Sequence, residues 1–306
     1  MISVDILLAT YNGGTYLHSL IDSLYRQSHG AWNLIIRDDG SSDDTVNYLE
    51  KLSANDSRVE IIKDELGNLG PCRNFLELLK HSNSEYILFC DQDDIWEDNK
   101  ISTLLSFIKA EEKRNDSNLP ILIHSDIQLI DEKDELISNS FWKYQHLNPR
   151  CDSFNDLLMQ NNVTGCTCIF NKALKTKGKN SSDDIPMHDW WLAITAAKFG
   201  FIKYVEKPLV RYRQHGSNSV GARKFYSLKS LGQFFKKIQG NKKHTQVLAK
   251  AFLDNYKNEL SEEDIKFLQV FGNFDELGYF EKRKFIIKNH LKKQGFLRTL
   301  AFYLFA

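Results

Sequence analysis

The sequence has no run of about 18 apolar residues, the length a helix needs to cross a bilayer. It opens Met1-Ile2-Ser3-Val4-Asp5, without a basic leader or a small-residue cleavage site. No signal peptide is expected, and the chain is expected to stay in the cytoplasm. Cysteine is scarce. Cys72, Cys90, Cys151, Cys166 and Cys168 include no CxxC pair, which argues against a zinc site and against a disulfide framework. Cys166 and Cys168 alternate in what reads as a strand and suit small buried positions. Net charge is also missing: 40 Lys and Arg balance 40 Asp and Glu. That excludes a nucleic-acid binder built on bulk positive charge.

The zero conceals a split. Residues 1–221 hold 23 basic and 32 acidic side chains, a net of −9, and residues 222–306 hold 17 and 8, a net of +9. Opposite charge predicts two regions with separate jobs, 1–221 and 222–306, meeting near Gly221. With 306 residues, 42% of them hydrophobic and 12% aromatic, the chain can bury a core and is neither disordered nor fibrous.

Strand and helix patterns alternate through the first 110 residues. Val4–Ala9, Trp32–Arg37, Arg58–Lys63 and Glu85–Cys90 read as strands. Tyr16–Gln27, a segment after Ser42 or Asp43 as N-cap, Asn74–Leu79 and Asn99–Ile108 read as helices. This rhythm predicts a parallel α/β sheet, whose ligands sit at the carboxyl ends of the strands. Further strands are expected at Pro120–Ile130, Thr167–Phe170, Phe201–Val205 and Val210–Gln214, and a helix at His188–Phe199. Beyond residue 223 only helices are expected: Phe225–Ile238, Thr245–Glu259, Glu262–Phe271 and Phe280–Lys293.

Polar clusters follow strands one, two and four. Asp91-Gln92-Asp93-Asp94-Ile95-Trp96 places three carboxylates within four residues, which repel unless a cation sits among them. Hard oxygen ligands at a strand end suit Mg²⁺ or Mn²⁺ bridging to substrate phosphates; a solvated acidic turn is the plainer reading. In Arg37-Asp38-Asp39-Gly40-Ser41-Ser42, an acid can accept from a ribose or base, or the segment is simply a capped turn. Thr10-Tyr11-Asn12 is a polar turn.

In this order and spacing the chain resembles the family 2 glycosyltransferases of the GT-A fold. The matching residues are Ala9-Thr10-Tyr11-Asn12-Gly13, Ile36 to Asp43, Asn68-Leu69-Gly70 with Arg73-Asn74, Cys90 to Trp96, and His188-Asp189-Trp190-Trp191. The resemblance covers residues 1–221 and is nearest to the bacterial rhamnosyltransferase-like group that builds surface polysaccharides. It implies a Rossmann-like mixed sheet with flanking helices, followed here by a C-terminal helical region. It implies that Thr10, Tyr11, Asn12, Asp39, Arg73 and Asp91 line the nucleotide pocket, and that Asp93 ligates Mn²⁺ or Mg²⁺. Asp94, Trp96, Thr164, Gly165, His188, Trp190 and Trp191 would lie near donor or acceptor sugar. Asp189, a carboxylate beside bulky apolar side chains, is partly desolvated and suits a general base; an N-cap is its plainer reading. His215 is a candidate metal ligand and Arg213 a candidate pyrophosphate contact.

The implied reaction is an inverting, metal-dependent transfer from a dTDP-rhamnose or UDP-hexose type of donor to a glycan, typically polyprenyl-diphosphate-linked, in O-antigen or capsule synthesis. The chain lacks the Q-x-x-R-W motif of processive relatives, which points to one sugar per visit. A nucleotidyltransferase would want a basic, Gly-rich phosphate loop, which Gly13-Gly14 does not provide. A non-catalytic nucleotide-sugar-binding protein is expected to have lost an acid, yet Asp39, Asp91, Asp93 and Asp189 are all present. The basic C-terminal region interleaves Lys and Arg with Phe, Ile and Leu. It suits a peripheral contact at the inner face of the cytoplasmic membrane; a cap on the fold and a homodimer contact are the other readings.

Overall fold

The computed structural model describes residues 2–115, 118–216 and 231–305, with side chains 231–242, Leu297 and Phe305 left aside. The expected boundary at Gly221, the start of the helix expected from Phe225, and Ser217-Asn218 lie outside the described residues. The strands are β1 (Val4–Thr10), β2 (Trp32–Asp38), β3 (Val59–Ile61), β4 (Tyr86–Asp91), β5 (Ile95–Trp96), β6 (Ile121–Ile130), β7 (Leu136–Ser138), β8 (Ile169–Asn171) and β9 (Phe201–Arg213). The helices are α1 (Leu17–Tyr25), α2 (Thr45–Asn55), α3 (Gly70–His81), α4 (Lys100–Arg114), α5 (Phe141–Gln145), α6 (Phe154–Met159), α7 (Lys172–Gly178) and α8 (His188–Phe199), then α9 (Leu231–Tyr256), α10 (Glu262–Gly272), α11 (Tyr279–Lys288) and α12 (Phe296–Phe305).

The strands form one sheet in the order β3-β2-β1-β4-β8-β6-β9-β5, with β7 beside β6. The first four pair in parallel, β8 runs antiparallel to β4 and β6, and β6 and β9 are parallel again. The sheet is therefore mixed. β1 reads VDILLAT and is buried almost throughout, as a strand with helices on both faces must be. Leu17, Leu20, Ile21 and Leu24 give α1 one buried stripe. Pro71 stands in the first turn of α3, where its missing N–H costs nothing.

Several expected boundaries shift. α2 starts at Thr45 with Asp44 as its cap; Asp43 instead accepts from the Gly14 and Thr45 N–H groups, tying two loops. Thr167 belongs to a 3-10 turn, Gly165–Thr167, ahead of β8. β9 is one strand, its register slipping against β6 where two strands were expected. α9 is continuous through Gly240, a residue that costs a helix only about 1 kcal/mol. α11 ends at Lys288, where His290 takes φ 52° and turns the chain toward α12.

Among the described residues, the C-terminal helices pack onto the sheet-bearing part. Leu248, Phe252, Tyr256, Ile286 and Phe302 join one buried cluster with Leu7, Phe89, Phe170 and Trp191 of the sheet and α8.

Candidate active site

Parallel pairing sets Thr10 level with Asp38 and Ala9 level with Asp91, so the loops leaving β1, β2 and β4 meet at one sheet edge. They are laced together. Gln92 accepts from the Tyr11 N–H and donates to the Tyr11 carbonyl, both at 2.9 Å. The Asn12 N–H donates to Ser41 Oγ and its Oδ1 accepts from the Ser42 N–H, both at 2.8 Å. Asn12 has φ 49°, a left-handed conformation that Asn tolerates better than most residues. Gly13 lies flat against Gln92, and a Cβ there would run into that side chain. Tyr11 and Asn12 face outward, while Thr10 is buried and donates from Oγ1 to Asp38 at 2.8 Å.

Asp39 is buried, and both of its oxygens are engaged. They accept from the Leu69 N–H at 2.7 Å, the Gly70 N–H at 2.8 Å and Arg37 at 2.8 Å. Arg37 is buried too, and its guanidinium also pairs with Asp64 at 2.8 Å and donates to the Gly67 carbonyl at 3.0 Å. This network fastens the head of α3 to the end of β2. Arg73 projects from α3, half-exposed, and pairs with Asp183 at 2.5 Å.

The acidic loop after β4 divides its carboxylates. Asp93 Oδ2 stands 2.7 Å from His215 Nε2, and the Asp93 carbonyl accepts from Arg213 Nε at 3.2 Å. Arg213 is buried, packs over the Tyr16 ring and pairs with Asp134. Its guanidinium therefore acts on the site through the main chain of Asp93. Asp94 is fully buried, and neither of its oxygens meets an N–H or O–H donor among the described residues. Asp5, at the opposite end of the sheet, shows what a structural buried acid looks like: Asn33, Ser82, Asn83 and Ser84 all donate to it. Donor atoms of Asp91, Asp94 and Cys166 lie within 4.8 Å of one another. Burial, and then the charges of Asp93 and Asp189, push the Asp91 carboxyl up to about 7. Burial first, then Asp91 and Asp93, holds Asp94 well above the usual carboxylate range.

A buried cation answers these acids. Lys100 opens α4 but is wholly enclosed, its ammonium 3.2 Å above the centre of the Trp96 ring and 2.5 Å from the Cys166 carbonyl. Burial lowers its pKa to about 8. The turn it grips carries the other end of the site. The Gly165 N–H donates to Asp189 Oδ2 at 2.9 Å, and Asn161 Nδ2 donates to Oδ1 at 3.4 Å. Asp189 sits in the first turn of α8, nearly buried, and desolvation lifts its carboxyl to about 6. One turn, Gly165–Thr167, therefore joins Lys100, the Asp91–Asp94 pair and Asp189. Nothing in the sequence flags Lys100, since a lone Lys at a helix start reads as surface.

Comparison with known proteins matches this arrangement to a family. The family model for glycosyl transferase family 2 covers residues 5–176, more than half the chain. The chain belongs to glycosyl transferase family 2. It is 28% identical over 221 residues to the dTDP-rhamnosyl transferase RfbG of Shigella flexneri, covering 70% of this chain and 74% of that one. It is 30% identical over 250 residues to WfaP of Escherichia coli, a UDP-Glc:alpha-D-GlcNAc-diphosphoundecaprenol beta-1,3-glucosyltransferase, covering 80% and 90%. Among solved structures it is similar to S. aureus TarS residues 1–349 in complex with UDP, with TM-score 0.57 and 16% identity over 100% of this chain and 75% of that one. It spans 43% of a longer TarS chain. A mannosyltransferase of Pyrobaculum calidifontis in complex with GDP-Man and Mn²⁺ gives TM-score 0.50 at 13% identity, over 99% of this chain and 87% of that one. The fold is that of the GT-A glycosyltransferases.

Three aromatic expectations for this glycosyltransferase need correction. Trp96 is buried beneath Lys100 and offers no face to a sugar. Trp191 is buried against Phe252 and Tyr256, with its Nε1 donating to the Gly178 carbonyl at 2.8 Å. His188 is sealed against Phe75 and Phe89, with no partner on either ring nitrogen among the described residues. Burial drops its pKa to about 3, so it stays neutral and faces no acceptor. Trp190 is only partly buried and donates from Nε1 to the Leu157 carbonyl at 2.7 Å. Thr164 contributes its carbonyl to the turn that holds Gly165.

The GT-A fold implies a divalent metal, and the donor set suits one. The groups gathered at the β4 end are mostly carboxylates, the hard oxygen ligands Mg²⁺ and Mn²⁺ prefer, with one borderline imidazole from His215. Both oxygens of the buried Asp94 lack an N–H or O–H donor among the described residues, and one lies within 4.8 Å of an Asp91 oxygen. Cys166 offers a soft sulfur, which suits Mg²⁺ or Mn²⁺ less well than the carboxylates do.

Proposed function

We propose that this glycosyltransferase transfers a single sugar, with inversion, from a nucleotide-sugar donor to a polyprenyl-diphosphate-linked glycan in bacterial surface polysaccharide synthesis. The observation that carries this reading is Asp189: a nearly buried carboxylate, lifted to about 6 and oriented by the Gly165 N–H, beside the acidic end of β4. A base tuned near neutral pH and oriented by the Gly165 N–H and Asn161 suits removal of a proton from a sugar hydroxyl. Tyr11 and Asn12 face the nucleotide, Asp39 and Arg37 shape the loop that receives its base, and Asp91 faces the ribose. Asp93 and His215 would hold Mn²⁺ or Mg²⁺, whose chemistry there would be neutralisation of charge gathering on the nucleoside diphosphate leaving group. Asp189 takes the acceptor proton, Asn161 and Gly165 keep its oxygens aimed, and Lys100 fixes the turn that carries Gly165. A single displacement inverts the anomeric centre.

The relatives' names support the donor and acceptor classes. One uses dTDP-rhamnose by name, and another acts on a diphosphoundecaprenol-linked sugar. A lipid-linked acceptor places the enzyme at the inner face of the cytoplasmic membrane. The Mn²⁺ bound by the Pyrobaculum protein makes that ion the first to try.

The test is a donor panel of dTDP-rhamnose and UDP-hexoses, each with and without Mn²⁺ and a polyprenyl-diphosphate-linked glycan. The expected result is nucleoside diphosphate release from one donor that depends on both ion and acceptor. Acceptor-independent turnover of every donor, or formation of a nucleotide sugar from nucleoside triphosphate and sugar 1-phosphate, would overturn it.

A further inference from the structure

The last two helices expose apolar side chains that the core does not use. On α11 these are Phe280, 83% exposed, and Ile287; on α12 they are Phe296, 80% exposed, with Leu300 and Leu304. Positions 280 and 287 share one side of α11, and 296, 300 and 304 share one side of α12. Arg283 donates to the Leu304 carbonyl at 3.0 Å, so the two helices lie next to each other. The exposure is not that of loose ends. Ile286 and Phe302 are buried, and Phe285 and Phe302 stack on Phe267 and Phe274 beneath. Exposed Lys284, Lys288 and Lys292 accompany the stripes, and none has an acidic partner among the described residues. Glu281, the acid within α11, is spent on the Gly278 N–H at 2.8 Å.

We propose that α11 and α12 form a docking face for a bilayer containing anionic lipid. Apolar side chains at helical spacing, flanked by unpaired lysines, fit the interfacial layer of such a bilayer: the rings enter the acyl boundary and the lysines meet acidic headgroups. α12 has ten residues, enough to lie in that layer and too few to cross it. The lysines favour this occupant over a second copy, which would bring like charge against like charge.

The face is wired to the acceptor side of the site. Lys293 Nζ binds the Met159 carbonyl, the Gln294 N–H donates to Gln160 Oε1 at 2.9 Å, and Gln294 Oε1 accepts from the Asn148 N–H at 2.7 Å. Asn161, the next residue along, reaches Asp189. A cleft of about 340 Å³ opens at this junction, lined by Asn148, Lys292, Gln294, Phe296 and Thr299 among others. A docked enzyme thus presents the loop that contacts Asp189 close to the membrane. That consequence rests on the lipid-linked acceptor proposed above; the docking itself does not.

Vesicle flotation of the full chain tests the face, using phosphatidylcholine alone and phosphatidylcholine mixed with phosphatidylglycerol. The chain is expected to float with the mixed vesicles, to stay behind with the neutral ones, and to release as salt rises. F280S/F296S/L300S and K284E/K288E/K292E should each cut the bound fraction at least about tenfold without lowering the Tm or transfer to a water-soluble acceptor analogue. Transfer to lipid-linked acceptor in vesicles should fall with binding. Equal flotation with both vesicle types, or variants that float like the parent, would overturn the proposal. So would a dimer, seen by light scattering, that the same substitutions dissolve without any lipid binding. If transfer proceeds on soluble glycans but never on lipid-linked ones, the acceptor reading fails while flotation still decides the face.

Discussion

Asp189→Asn is expected to lower the transfer rate by about 10²–10⁴-fold while donor binding stays intact. Asn keeps an oxygen for the Gly165 N–H, so the α8 start and the turn survive the change; the base is lost, along with the 3.4 Å contact from Asn161. The pH dependence follows from the same burial. The carboxyl sits at about 6, above its ordinary value, and works as a base only when deprotonated. In the parent enzyme kcat/KM should therefore rise as pH climbs through about 6 and level off above it. Below that point each pH unit should cost about tenfold. The Asn variant should lose this acidic limb along with its rate. A variant that turns over normally, or keeps the limb unchanged, would remove Asp189 from the chemistry.

Asp93→Ala should reduce transfer by at least about 100-fold, the scale of several kcal/mol of lost charge stabilisation on the leaving group. Chelation of the parent enzyme should do the same, and Mn²⁺ should restore the parent but not the variant at matched concentration. His215 also loses its 2.7 Å hydrogen-bond partner in the variant. Full activity in the presence of chelator would argue against a metal, whatever the acidic composition of the loop.

Much of the site is legible because its parts sit at strand ends. A strand followed by Thr10-Tyr11-Asn12, Asp38-Asp39 or Asp91 to Asp94 declares itself locally, and parallel pairing then brings the three together. What depends on distant partners is not legible. Asp39 looks like a free ligand in sequence, yet its oxygens are taken by backbone N–H groups thirty residues away. The resemblance sets Trp96 and Trp191 near donor or acceptor sugar, and both are buried packing residues. Lys100 is the converse: a surface-like residue whose partner is the carbonyl of Cys166, on another element. The charge split near residue 221 is real in sequence, but it does not mark a separate core, since Phe252 and Trp191 pack together. Charge reports what faces water, and apolar periodicity reports only that a face is buried, not against what.

The account turns on a single displacement at the anomeric carbon, with Asp189 drawing the proton from the attacking hydroxyl. The most direct test is NMR of the transfer product formed from a nucleotide sugar of known anomeric configuration. The predicted result is the opposite configuration in the new glycosidic bond. Retention of the donor's configuration would contradict the single displacement and the role assigned to Asp189.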